Sequence, residues 1–251
     1  MTRIIISGCN GHMGKNVERI ASETEGVQVV AGIDINTASG GAFPVFSSIS
    51  KCDIPADVVI DFSAPAALDS LLEYGREKKV PLVLCSTGYD EEAGKKIKEA
   101  SKDVAILRSA NMSLGVNLLA SVLKEIAAKL SEAGFDIEIV EKHHRLKKDA
   151  PSGTALYLAD CVNESLKEKF DYVYDRSPRS EKRPDKEIGI SAVRGGTIPG
   201  DHDVIFAGED EVITLSHRAY SKAVFAKGAV SAAIFLNGRG PGMYSMSDVI
   251  G

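Results

Sequence analysis

Through the first 110 residues, short apolar runs alternate with longer segments whose apolar positions recur every three to four residues. The runs at 3 to 7, 27 to 33, 57 to 62, 80 to 85 and 104 to 107 read as buried parallel strands, because they are apolar without polar alternation. Between them, 15 to 24, 66 to 79 and 90 to 102 read as helices. Strand and helix in alternation predict an α/β architecture, a doubly wound parallel sheet whose ligands sit beyond the carboxyl ends of the strands.

The pattern changes from residue 114. A long amphipathic segment at 115 to 133 predicts a helix, 135 to 140 alternates like a strand, and 153 to 169 is helical again. A charged, proline-bearing stretch at 175 to 187 reads as an exposed loop. Alternation at 188 to 194, 202 to 208 and 211 to 217 then predicts antiparallel strands, with turns at 194 to 196 and 199 to 200. This is a second, α+β domain with a mixed or antiparallel sheet. The alanine-rich helix at 221 to 237 suits burial against the first domain, which gives one domain of 1 to 114 with 220 to 251 and another of 115 to 219.

With 251 residues, 44% hydrophobic content and no long apolar run, the sequence reads as a soluble protein without a membrane span or secretory segment. A net charge of -5 argues against nucleic acid as a partner. The four cysteines (Cys9, Cys52, Cys85, Cys161) are scattered, as reduced thiols in a cytoplasm are.

Between the first strand and helix lie Gly8, Cys9, Asn10, Gly11, His12, Met13 and Gly14. Glycines at this point permit a tight turn and bring a pyrophosphate against the backbone at a helix N-terminus, the feature of a Rossmann-type dinucleotide site. Asn10 stands at the usual second glycine position, so the loop alone is only moderately specific. Asp34, at the end of the second strand and 20 residues after Gly14, is placed to receive a ribose diol. No Lys or Arg occurs between Arg19 and Lys51 to receive a 2'-phosphate, so NADH is favoured over NADPH. Lys15 and His12 lie within reach of the same turn and weaken that preference. The turns at 85 to 88 and 110 to 113 are nominated for the nicotinamide end.

The densest chemistry lies at 141 to 155. His143 and His144, the cations Arg145, Lys147 and Lys148, and a Ser152, Gly153, Thr154 turn opening a helix combine proton donors, positive charge and backbone amides suited to a small anion. The cluster is placed on the loop leaving the preceding strand. A basic run alone is more often a solvated face or a nucleic-acid patch, which the net charge makes less apt here. Glu141 with the two imidazoles lacks a third ligand at a recognised spacing, so no metal is expected.

Residues 140 to 154, with G-x-x-G-x-Met-Gly at 8 to 14, Ser86-Thr87-Gly88, Ala110-Asn111 with Ser113, and Val193 to Gly196, resemble the 4-hydroxy-tetrahydrodipicolinate reductase (dihydrodipicolinate reductase) family over essentially the whole chain. The resemblance implies reduction of a cyclic dicarboxylate by a nicotinamide cofactor in lysine and diaminopimelate synthesis, by a homotetramer assembled through the second domain. It implies His143 as proton donor or acceptor and Lys147 as proton donor, with His144, Ser152, Gly153 and Thr154 at the substrate. It also places Gly8, Cys9, Asn10, Gly11, His12, Met13 and Asp34 on the dinucleotide, and Cys85, Ser86, Thr87, Ala110, Asn111, Met112 and Ser113 around the nicotinamide. Ile35 and His12 stand where basic residues hold the 2'-phosphate in members that use both cofactors. Two rival readings are another two-domain dehydrogenase and a dinucleotide-sensing protein without chemistry; neither accounts for an intact 143 to 154 cluster.

Overall fold

The computed structural model describes residues 1 to 37 and 42 to 251. The chain forms two compact units, Met1–Leu114 with Lys222–Gly251, and Gly115–Ser221. In chain order the first unit begins with β1 (Thr2–Ser7), α1 (His12–Glu23), β2 (Val27–Ile33), β3 (Val45–Phe46), β4 (Val58–Asp61), α2 (Leu68–Lys78), β5 (Leu82–Leu84), α3 (Glu91–Ala100) and β6 (Ala105–Arg108). Next come α4 (Leu114–Glu132), β7 (Asp136–His143), α5 (Gly153–Ser165), β8 (Asp171–Val173), β9 (Glu187–Arg194), β10 (Gly200–Ala207) and β11 (Val212–Ala219). The chain returns to the first unit with α6 (Ala223–Leu236), β12 (Gly242–Tyr244) and α7 (Met246–Ile250).

The first sheet is parallel throughout, in the order β12-β6-β5-β4-β1-β2-β3. Its strands are apolar on both faces because both are covered. Ile4, Ile6, Val58, Ile60 and Leu107 pack with α1 and α6, while Ile5, Val59, Leu82 and Ile106 pack with α2 and α3. The short strands β3 and β12 were not expected from the sequence. They span two and three residues, too few to set up a periodicity.

The second sheet is mixed, in the order β11-β10-β7-β9-β8. Here the expectation of an antiparallel run needs correction: β9 pairs parallel with β7, and β10 pairs antiparallel with β7 on its other side. The turns between β9 and β10 therefore carry the chain across β7 instead of closing a hairpin. Ile137, Ile139, Ile188, Ile190, Val204 and Phe206 form one apolar face, covered by Val116, Leu123, Leu158 and Val162 of α4 and α5. α5 stops at Ser165, four residues short of the expected end, and the stretch after it is tied to Asn163, which hydrogen-bonds the Phe170 backbone.

The charged stretch at 175 to 187 is exposed over most of its length, as expected, apart from Arg176, Arg183 and the buried Glu187 that begins β9. Arg176 and Arg179 pair with Glu187, which is 2% exposed, and Arg183 bonds the Ile137 and Glu187 carbonyls.

Within the first unit, α6 lies so close to the segment after β6 that a Cβ on Gly228 would land on the Met112 carbonyl. Gly228→Ala should therefore destabilise the protein by about 1–3 kcal/mol through overpacking. A thermal melt checks this, and an unchanged Tm would mean that the contact yields freely.

Candidate active site

β7 is the central strand of the second sheet, and its alternation points Glu141 and His143 to the same side. The strand runs through His143, so the first histidine of the cluster is held in the sheet, not on the loop where the sequence placed it. Register brings Arg194 of β9 opposite His143 and His202 of β10 opposite Glu141.

Glu141 is fully buried. Arg194 donates to both of its oxygens at 2.7 Å, the Ser152 amide donates to Oε1 at 2.8 Å, and His143 Nδ1 lies 2.6 Å from Oε2. Burial acts to raise the Glu141 pKa, but these donors outweigh it and hold the carboxyl below its ordinary value. His143 is lowered, by burial first and by Lys147 and Arg194 after it, against the raising effect of Glu141.

Beside this pair, His202 packs edge-on against His143 with ring centroids 5.1 Å apart, and its Nε2 lies 3.0 Å from Ser152 Oγ. Burial pushes His202 down to about 4, so it stays neutral and adds no second cation next to His143.

After β7 the chain turns within residues 144 to 147, where Lys147 N donates to the His144 carbonyl. The segment is fixed to the β9–β10 connection by His144 N to Ile198 O and Arg145 N to Gly196 O. His144 and Lys147 are half-buried, and Lys147 Nζ sits 2.9 Å from Asp149. Its nearest ionic partner is thus a carboxylate, where the sequence suggested a surround of cations. Ser152 caps α5 by accepting the Ala155 amide. With its own amide on Glu141, Ser152 supports the site from behind. Gly153 is exposed, and a Cβ there would meet nothing within 4 Å, so the start of α5 is open at this residue.

The residues expected at the dinucleotide gather in the first unit. Gly8 has φ +78°, and a Cβ on it would lie 2.7 Å from the Phe62 carbonyl oxygen; one on Gly14 would strike the Gly8 carbonyl. Gly11 opens α1 with no side-chain cap, which leaves the helix-start amides for a ligand. Asn10, in place of a glycine, donates its amide to Asp34 Oδ2 at 3.0 Å and its side chain to the Asn36 carbonyl at 2.6 Å, while Asn36 N donates to Asp34 Oδ1. Cys9 is buried, Met13 half-buried and His12 exposed. A cleft of about 520 Å³ at the carboxyl ends of the strands is lined by Gly8, Asp34, Ile35, Phe62, Ala64 and Leu71, among others. An uncapped helix start, glycines with no room for a Cβ, and an oriented carboxylate fit a dinucleotide.

Near the next strand ends, Ser86 Oγ donates to the buried Asp61 at 2.7 Å, with Ser63 and Tyr89 on the same carboxylate. Cys85 is half-buried, Thr87 and Ala110 are exposed, and Met112 is buried. Asn111 Oδ1 accepts the Ser113 amide, fixing that turn. Sequence reasoning did not connect Asp61 or His202 with the candidate residues, and it weighed Glu141 only as a metal ligand. Glu141 was detectable from its i, i+2 relation to His143, whereas His202 is delivered only by the pairing of β10 with β7.

Comparison with known proteins agrees across both units. Residues 2–112 match the family described as dihydrodipicolinate reductase, N-terminus, and residues 115–250 match its C-terminus. The chain belongs to the dihydrodipicolinate reductase family. A 4-hydroxy-tetrahydrodipicolinate reductase from Caldanaerobacter subterraneus subsp. tengcongensis is 56% identical over 250 residues, covering 100% of this chain and 98% of the relative. One from Clostridium tetani is 50% identical, covering 98% and 96%. Among solved structures, dipicolinate-bound dihydrodipicolinate reductase from Paenisporosarcina sp. TG-14 shares the fold, with a TM-score of 0.83 at 23% identity over 100% of this chain and 99% of that one.

Because the His202 pKa is about 4 in the fold and near 6.5 when unfolded, the unfolded chain binds the extra proton between those values. Stability from this group is present above pH 6.5 and is lost as pH falls towards 4, by an amount on the order of 3 kcal/mol. Denaturant unfolding at several pH values should show a shallower decline for His202→Gln than for wild type; equal slopes would exclude His202 as the cause.

Proposed function

We propose that this chain reduces 4-hydroxy-tetrahydrodipicolinate to tetrahydrodipicolinate with a pyridine nucleotide, a step of lysine and diaminopimelate biosynthesis. The family match over both units supports the reaction. The observation that carries the site reading is the convergence, at the end of β7, of a buried imidazole, a lysine whose charge reaches it and an open helix start.

In this reading the unit of Met1–Leu114 with Lys222–Gly251 binds the dinucleotide and Gly115–Ser221 binds the dicarboxylate. The first turn of α5, through Gly153 and Thr154, holds a substrate carboxylate with its amides and helix dipole, assisted by His144. Lys147 donates a proton to the substrate and His143 donates or accepts one. The bound dihydronicotinamide supplies the hydride. Residues 8 to 13 hold the pyrophosphate and Asp34 the ribose. Ser86 and the turn at 110 to 113 face the nicotinamide, with Ser86 oriented by Asp61.

NADH is preferred over NADPH, because Asp34 is oriented by two amides for a diol and its neighbour Ile35 offers no charge to a phosphate. The protein assembles as a homotetramer through the second sheet, where Val193 and Val212 are 47% and 62% exposed.

Absorbance at 340 nm, with substrate formed in place from aspartate semialdehyde and pyruvate, tests both readings. NADH should be oxidised ahead of NADPH, and the reverse order would overturn the Asp34 argument alone. In the same assay Lys147→Ala should lower kcat by about 10²–10⁴-fold with little change in dinucleotide affinity. A wild-type kcat would remove Lys147 from the chemistry. Pyridine-2,6-dicarboxylate should compete with the substrate, and lack of competition would argue against the α5 carboxylate site.

A further inference from the structure

Glu141 is the most deeply buried carboxylate near the candidate site, and nothing in the reaction itself requires it. It touches His143 through Nδ1 alone, at 2.6 Å. Its other contacts are all donors: Arg194 from β9 in a two-pronged contact, and the Ser152 amide. A carboxylate so paired stays ionised, and an ionised carboxylate only accepts hydrogen bonds. The proton in the bond between Glu141 and His143 must therefore sit on Nδ1.

We propose that Glu141, clamped by Arg194, is a positioning residue that fixes the tautomer and direction of His143, so that Nε2 is the nitrogen that exchanges the substrate proton. The proposal rests on the reading of His143 as proton donor or acceptor and names the atom through which it acts. In either direction the proton that moves is the one on Nε2; the N–H at Nδ1 stays in place and Glu141 remains a carboxylate. Space is kept on the Nε2 side, because Gly200 lies there and a Cβ on it would come within 3.0 Å of that nitrogen.

The charges around His143 separate the roles. Lys147 from the turn after β7, Arg194 from β9 and, when protonated, His202 from β10 all disfavour the imidazolium; Glu141 on its own strand favours it, and Asp149 lies beyond Lys147 and Arg194. Arg194 offsets much of the Glu141 charge. The carboxylate therefore acts first by holding the ring and second by its field. Removing that charge lowers the His143 pKa further, so a His143 limb in the pH profile moves to lower pH.

The test uses the full-length protein labelled with nitrogen-15 histidine, with the His143 signal identified by its loss in His143→Gln. At alkaline pH, Nδ1 should give a pyrrole-type shift and Nε2 a pyridine-type shift. In kinetics, Glu141→Gln should lower kcat by about 10–100-fold and displace the pH limb to lower values, leaving the KM for dinucleotide within about twofold. Glu141→Asp should recover part of kcat, which a purely structural role would not require. The opposite tautomer in wild type, or Glu141→Gln with unchanged kcat and pH profile, overturns the proposal. If Glu141→Gln fails to fold, the wild-type tautomer still decides. Wild-type turnover in His143→Gln would instead remove the underlying reading and the proposal with it; because the tautomer is measured separately, the two failures are told apart.

Discussion

A carboxylate taken out of water costs several kcal/mol unless donors replace its hydration, and Glu141 at the centre of the second sheet has a full set of them. Each donor comes from a different part of the chain: the same strand, the neighbouring strand β9 and the start of α5. The site geometry follows from that requirement. Satisfying Glu141 orients His143, draws Arg194 across the sheet and pins the N-cap of α5, so the open helix start beside the imidazole is a by-product of one buried charge finding its partners. Losing Arg194, its fixed counter-ion, would leave that charge uncompensated, at a cost of about 3–5 kcal/mol.

The first unit meets its constraint with backbone instead of charge. β1, the turn and α1 approach so closely that Gly8 and Gly14 have no room for a Cβ, and the amides at the helix start are left facing the cleft. Asn10 shows how a departure from the glycine pattern is used. It spends its amide on Asp34 and its side chain on Asn36, tying the turn to the end of β2 and fixing the direction of the carboxylate.

Much of this was legible in the sequence. Apolar runs without alternation announce strands covered on both faces, and β1, β2, β4, β5 and β6 of the parallel sheet follow from them. The family match bears out the resemblance carried by residues 140 to 154. What stayed hidden is what depends on pairing. The parallel placement of β9 beside β7 has no local signal, because a strand's own pattern records which face is buried and not which strand lies next to it. For the same reason the sequence carried no sign that His202 lies beside His143, and it placed Arg194 in a turn. The loop at 175 to 187 was legible as exposed, but composition does not reveal that its arginines pair with the buried Glu187.

The first unit is discontinuous, and α6 supplies Ala226, Ala229, Val230 and Ala233 to its core. On the ribosome, the strands β1, β4, β5 and β6 emerge long before the helix that covers one of their faces. The intervening residues 115 to 221 make up the second unit in one uninterrupted stretch and complete their own core first. The unit that begins first is thus the last to have all its residues: the inserted one is complete while the one that encloses it in the chain still lacks the helix for its apolar strand surface.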